Sequence, residues 1–565
     1  MPPHSQFAGQ EIKIDVETKV LEAGGNHSYQ FNTWDPHKSH HEIHSYAVLC
    51  LLLLRSDCKY SYNNMAIVSP LTQALVHLFI AGVVILVSHK IIQLYRKRRS
   101  LPPGPFPWPV VGNILCFRKN IFSHEVMDEI SQTYGPVYTL FLGHEPNVII
   151  TDPEVGLQVL KKHTFAGRPK LFFEEWFLRE NSTDIVLSDF GKEWEALRKV
   201  GHSAARKFAV SPQLPPIAAD AVDRLITRVG DKPFDSDENI STMMIAVLAE
   251  SAFGKKYDFE DPEFIKWKET VSVQRKMNNF MMIVMFLPFL RHIFRQKWKI
   301  MLSLARYQWD YIDMMYKRAL KNHTEGKNES FCDAIITAKK EAEAAENWML
   351  PYLKPQNLNN TVGDLFAAGT DTTRMSLRWI FLLIAKYPVF QERMRKDVED
   401  AISDSEPKID DMVKLPLVCA FISETMRFRP IVPGGLPHKA TVDEEINGHK
   451  IPEGTTVLVL LNKALDDEKV WRDPKVFRPE RFLDADGKYI SKPNSFFVPF
   501  GDGRRSCPGN KLAFNNMFLI VTRFLQRTTD IQVVGGVTEA QMRGDLSQTN
   551  GVEPIRYSLQ LTLKD

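Results

Sequence analysis

No internal repeat runs through the 565-residue chain, and no glycine-rich nucleotide fingerprint lies between a predicted strand and a predicted helix. The first absence excludes a repeat architecture, and the second predicts that NADPH does not bind this chain. Cysteine is scarce. Cys50, Cys58, Cys116, Cys332, Cys419 and Cys507 are widely scattered, which argues against a secreted disulfide framework and leaves no zinc cluster or C-x-x-C redox pair. The thiols are expected to be free in a reducing compartment, so the Asn-x-Ser/Thr matches at Asn181, Asn239 and Asn328 read as coincidences of composition. Charge of one sign is lacking too: 71 basic against 68 acidic residues leave a formal net charge of +3, which makes no case for nucleic acid.

What is present is one unusual loop, Phe500-Gly501-Asp502-Gly503-Arg504-Arg505-Ser506-Cys507-Pro508-Gly509. Glycines let a backbone turn with positive φ and approach a bulky ligand closely. Backbone N–H groups and the start of the following apolar helical stretch, Leu512 to Leu525, favour sulfur as an anion. A lone thiolate with an arginine two residues before it suits haem, with sulfur on iron and guanidinium on a propionate. The pattern Phe500-x-x-Gly503-x-Arg505-x-Cys507-x-Gly509 resembles the haem-binding signature of the haem-thiolate monooxygenases, the cytochromes P-450, of the microsomal animal type that handles drugs and steroids. The resemblance covers about Leu101 to the C-terminus. It implies a mainly α fold with a minor β-sheet region and haem b with an axial cysteine thiolate, with Cys507 as metal ligand and Phe500, Gly501 and Arg505 beside the cofactor.

Further matches follow in the family's order. Trp194 and Arg198 lie one helical turn apart, and positions four apart share a helix face. They resemble the Trp-x-x-x-Arg motif that offers an indole N–H and a guanidinium to a haem propionate. Arg168, ending Phe165-Ala166-Gly167-Arg168, and His438 match further propionate positions. A long apolar-periodic helix is predicted from about Pro355 to Tyr387, ended by Pro388. In its middle, Ala368-Gly369-Thr370-Asp371-Thr372-Thr373 combines a weak helix former with hydroxyls that compete for carbonyls, so a local opening of the ladder is expected. Asp371 and Thr372 match the family's acid–alcohol pair, which relays protons. Glu424-x-x-Arg427 followed by Arg481 resembles the family's structural trio, since buried charges must be paired. Pro136–Leu142, Asn147–Thr151 and Thr455–Leu460 read as strands.

Towards the N-terminus, residues 1–64 match nothing in the family and read as an extension, with a histidine cluster at His37, His40, His41 and His44 inside a solvated tract. Residues 65–89 are expected to form a transmembrane signal anchor, because Leu71 to Ser88 holds neither an acid nor a strong base and Arg96-Lys97-Arg98-Arg99 follows on the cytoplasmic side. Residues 90–105 form a basic, proline-rich hinge and 106–565 the catalytic domain. The resemblance places that domain on the cytoplasmic face of the endoplasmic reticulum membrane. The stretch Phe280 to Leu290 is strongly apolar and is expected to meet the lipid or line an access channel.

The activity implied is insertion of one oxygen atom from O2 into a lipophilic steroid, fatty acid or xenobiotic. Electrons are expected from an NADPH-dependent cytochrome reductase, with a cytochrome b-type donor as a second source. Lys192, Lys199, Arg504 and Lys511 are candidates for steering an acidic partner. A haem-thiolate isomerase or dehydratase acting on a peroxide, and a non-enzymatic haem-binding sensor, are the alternatives. The intact Asp371-Thr372 pair argues against the isomerase.

Overall fold

The computed structural model describes residues 70–117, 123–170, 182–324, 326, 329–545 and 551–564. The 1–64 extension with its histidines, residues 65–69 of the expected anchor, Cys50, Cys58, Asn181 and Asn328 lie outside the described residues. The chain divides into two units, Met1–Ile85 and Leu86–Asp565. The helices that matter for the site are numbered here in chain order.

Helix α1, Pro70–Arg99, carries the basic cluster Arg96, Lys97, Arg98 and Arg99 in its last turn, where cations suit the negative end of the dipole. Its apolar residues Leu75, Leu78, Phe79, Ile80, Val84 and Ile85 are exposed. Among the described residues, however, no helix is long and apolar enough to cross a membrane. After α1 the prolines stop the helix. The guanidinium of Arg98 donates to the Gly104 carbonyl at 3.1 Å and lies over the Phe106 ring.

Within Leu86–Asp565, α2 (Lys192–Ala209), α3 (Leu214–Val229), α4 (Ser236–Phe253), α5 (Pro262–Lys276), α6 (Asn278–Phe286), α7 (Arg295–Asn322), α8 (Pro355–Lys386), α9 (Pro416–Phe428) and α10 (Asn510–Arg527) build the helical body. Helix α8 spans 32 residues, about 48 Å at 1.5 Å per residue. Proline at its first turn and Pro388 just past its end set its limits. From Arg374 to Ile384 every residue is buried. Helix α4, apolar on all sides, packs along α8, as expected of a helix with no polar face to give to water. Helix α10 packs on α2, α3, α8 and α9, which brings the loop before it to the centre of the body.

The strands are few. β1 (Val137–Leu142), β2 (Glu145–Ile150), β4 (His438–Lys439) and β7 (Thr456–Val459) form one sheet in the order β1-β2-β7-β4. Val137 stands opposite Ile150 in an antiparallel pair, β2 runs parallel to β7, and His438 sits opposite Val457. A second sheet joins β3 (Phe234–Asp235), β9 (Ser558–Leu563) and β8 (Thr528–Val533). β5 (Glu444–Ile446) and β6 (His449–Ile451) make a hairpin across Asn447-Gly448, both with positive φ, the conformation a tight two-residue turn requires.

The predicted trio of charges forms. Arg427 clasps Glu424 with Nε–Oε2 at 2.7 Å and Nη2–Oε1 at 2.9 Å, Arg481 approaches Glu424 at 3.4 Å, and the Arg478 N–H donates to the same carboxylate at 2.9 Å. Arg427 also donates to the carbonyls of Leu465 and Pro474, so a fully buried ion pair ties α9 to the segment 465–474.

Candidate active site

A cavity of about 400 Å³ lies between α8 and the Cys507 loop. Ile185, Leu248, Leu365, Ala368 and Ile431 give it apolar walls, and Arg168, Arg198, Arg505 and His438 line it as well. Cys507 lines it, as do Phe500 and Gly501. Cys116, Cys332 and Cys419 do not, so among the described cysteines Cys507 alone faces the cavity.

The loop is shaped by its glycines. Gly503 has φ +72°, and a Cβ there would lie 2.0 Å from the Leu160 carbonyl oxygen, a clash between two backbones. The Cys507 N–H donates to the Phe500 carbonyl at 2.9 Å and closes the turn just ahead of α10. Burial pushes the Cys507 thiol up, against the pull of the Gly509 N–H and the charge of Arg198. Burial thus opposes the anion that the Gly509 N–H and Arg198 favour, and a bound metal cation would supply the remaining drive to ionise the sulfur.

The cations are held by backbone carbonyls. Arg198, on α2, donates to the Ser506 carbonyl, and burial lowers its pKa against the opposing influence of Cys507. Arg168 is buried, donates through Nε to the Val186 carbonyl at 3.1 Å and through Nη1 to the Pro437 carbonyl, and burial pushes it down to about 10. Arg505 donates through Nε to Ala166 and through Nη2 to Ser188, each at 2.8 Å, and burial with Arg168 nearby pushes it down to about 9. His438 shares a hydrogen bond between Nδ1 and the Phe165 carbonyl at 2.8 Å, and burial pushes it down to about 3, so its ring is neutral.

Trp194 departs from expectation. Its indole N–H donates to the Ile185 carbonyl at 3.1 Å, and it is absent from the cavity wall. Its ring instead lies under Arg505, with the guanidinium carbon 3.9 Å from a ring centroid, close enough for a cation–π contact. Thr372 lines the cavity and donates to the Ala368 carbonyl at 2.7 Å. Thr370 donates likewise to Phe366, yet α8 runs helical and unbroken through this region, so the expected opening of the ladder is not seen. Asp371 stands outside the wall. Its Oδ1 accepts from Arg374 Nε at 2.9 Å and lies 3.6 Å from Arg275 of α5. Arg374, fully buried, also meets Asp237 and, at 2.8 Å, Glu553, while Arg378 meets Glu553. This network of Arg275, Arg374, Arg378, Asp237 and Glu553 was not anticipated. The one available signal was the pair of arginines at 374 and 378, on one face of the largely apolar C-terminal half of that helix.

Comparison with known proteins now decides the family. Residues 102–530 match the family model described as cytochrome P-450. The chain belongs to the cytochrome P-450 family. It is 30% identical over 455 residues to cytochrome P-450 2D3 of Rattus norvegicus, covering 77% of this chain and 88% of the relative. It is also 30% identical over 468 residues to cytochrome P-450 2C38 of Mus musculus, covering 79% and 91%. Steroid 17-alpha-hydroxylase/17,20 lyase of Ictalurus punctatus is 27% identical over 474 residues, covering 82% and 91%. As a cytochrome P-450 of the animal drug and steroid type, the chain is a haem-dependent monooxygenase, an oxidoreductase whose cofactor is haem b on a cysteine thiolate.

The cavity suits that cofactor. The side chain of Arg505 buries Nη1 with no hydrogen-bond partner among the described residues. Three arginines with depressed pKa values cluster there, and an unsatisfied buried guanidinium is costly unless an anion meets it. Haem carries two carboxylates, and one near His438 would also return a proton to that ring.

Proposed function

We propose that the chain oxidises a lipophilic small molecule held against α8, with Cys507 as the iron ligand. One observation carries the reading: a single cavity-facing cysteine stands beside desolvated arginines, one with an unpartnered N–H. Arg505, Arg168 and Arg198 bind the two haem carboxylates, His438 donates once protonated, and Trp194 supports Arg505 from below. Phe500 and Gly501 pack beside the ring. Bound haem supplies the one-electron chemistry that activates dioxygen.

The remaining chemistry belongs to side chains. Thr372 presents its hydroxyl at the cavity wall and passes a proton inward, while its bond to Ala368 fixes the oxygen's position. Asp371, half-exposed and held by two arginines, takes protons from water and replenishes Thr372. The apolar walls exclude water and orient the substrate. Electrons come from a separate NADPH-dependent reductase, with a cytochrome b-type protein as second donor. Exposed Lys192, Lys199 and Lys511 offer the reductase a basic docking surface, and Arg504 pairs with Glu195 at 3.2 Å.

Residues 65–89 anchor the chain in the endoplasmic reticulum membrane, with 90–105 as hinge and 106–565 as the cytoplasmic catalytic domain. The exposed apolar side chains of α1 and the basic cluster after them support this. Exposed Phe289, Ile293 and Phe294 offer a second lipid contact, whereas Met281, Met282 and Met285 face inward. The test is NADPH oxidation with reductase across lipophilic compounds. Thr372→Ala should keep the haem spectrum while diverting NADPH from product to peroxide. Unchanged coupling would remove Thr372 from the proton path.

A further inference from the structure

The segment from Ser182 to Ser188 has no regular structure, yet two cations of the proposed cofactor cradle, and the Trp194 ring beneath one of them, hang from its carbonyls. Trp194 donates to Ile185 at 3.1 Å, Arg168 Nε to Val186 at 3.1 Å, and Arg505 Nη2 to Ser188 at 2.8 Å. Irregular backbone inside a protein must find partners for its own N–H groups, and here α8 supplies them. Asn357, Asn360 and Asp364 fall on one helix face at spacings of three and four. Asn357 accepts the Thr183 N–H at 2.9 Å, Asn360 donates to Ser182 Oγ at 2.9 Å, and Asp364 Oδ2 accepts the Ile185 N–H at 2.9 Å. Asp184 folds the rest into a turn, its Oδ1 accepting the N–H groups of Leu187 and Ser188 at 2.9 and 2.7 Å.

We infer that Asp364 is a positioning residue for the cofactor, acting through the Ile185 amide to aim Arg168, Trp194 and Arg505. It hydrogen-bonds to none of the three, although it lines the cavity itself, and it lies two helical turns before Thr372. The inference rests on the proposed binding of haem carboxylates by Arg168 and Arg505. Burial, and then the nearby Asp184, hold the Asp364 carboxyl well above the usual carboxylate range. Its task is therefore that of a neutral acceptor rather than a counter-charge, and asparagine, the isostere of a protonated aspartate, should perform it.

The experiment measures haem transfer from the full-length haem protein to apomyoglobin, with amide hydrogen exchange of residues 183–188 alongside. Asp364→Ala should speed transfer roughly ten-fold, the scale of one lost buried hydrogen bond, and expose the Ile185 and Val186 amides to exchange. Asp364→Asn should restore both to within about two-fold, which general destabilisation of the fold would not predict. If Asp364→Ala does not fold, Asn360→Ala, at a half-buried position, should move both readouts in the same direction by about two- to three-fold. Transfer left unchanged by either folded variant, while Arg505→Ala speeds it, overturns the positioning role and leaves the cradle standing. Transfer unchanged by Arg168→Ala and Arg505→Ala together overturns the cradle itself.

Discussion

Arg374→Leu isolates the network behind Asp371. Arg374 is fully buried and meets three carboxylates, Asp371, Asp237 and Glu553, from three separate parts of the chain. Removing one partner of a buried ion pair costs about 3–5 kcal/mol, because the other charge is left stranded. Each carboxylate here keeps a second arginine: Arg275 lies 3.6 Å from Asp371 and 3.4 Å from Asp237, and Arg378 stays on Glu553. The expected loss therefore falls at the low end, about 3 kcal/mol. Its pH dependence has a definite sign. In the intact protein, after burial, Arg374 is the largest influence on Asp237 and helps hold its pKa below the usual range, so the pair's stabilisation is present at neutral pH and is lost as pH falls through that depressed value. Without Arg374 the downward pull on the Asp237 pKa weakens, while Arg275 and Arg378 remain beside it. Urea unfolding in detergent, followed by circular dichroism, should show a deficit near 3 kcal/mol at pH 7.5 that narrows as pH falls below about 4, where the unfolded carboxylate takes its proton. A deficit below about 1 kcal/mol, or one that widens on acidification, would refute the network's energetic role.

Two further outcomes follow from the loop and its surroundings. Gly503→Ala forces a Cβ to 2.0 Å from the Leu160 carbonyl at a positive φ, so the protein should express without bound haem, read as loss of the Soret band. In the haem-free chain, neutral His438 contributes stability above the unfolded histidine pKa of about 6.5, lost as pH falls below it, because the unfolded chain protonates first. His438→Asn should flatten that acid slope in urea titrations, whereas an unchanged slope would mean that the ring is not held neutral.

The Cys507 loop was legible because its chemistry is local: ten consecutive residues carry the ligand, the turn and the cation. Strands β1, β2 and β7, the long helix α8 and the Glu424–Arg427 pair could be read for the same reason, as each rests on short-range pattern. What could not be read depends on residues that meet only after folding. The network around Arg374 draws Arg275 from α5, Asp237 from α4 and Glu553 from more than a hundred residues on, and no spacing announces them. Trp194 illustrates the converse. Its helical spacing from Arg198 was right, but an irregular segment seven to nine residues earlier competes for its N–H, and the backbone acceptor at Ile185 takes it. The upward push of burial on the Cys507 thiol is likewise something that a sequence does not display.

The carbon monoxide difference spectrum of the reduced, haem-loaded protein addresses the central claim directly. The account predicts the red-shifted Soret band of thiolate ligation in the intact chain and its complete loss in Cys507→Ala, with Cys332→Ala and Cys419→Ala retaining it. A thiolate band that survives Cys507→Ala, or an intact chain whose spectrum reports nitrogen ligation, would contradict it.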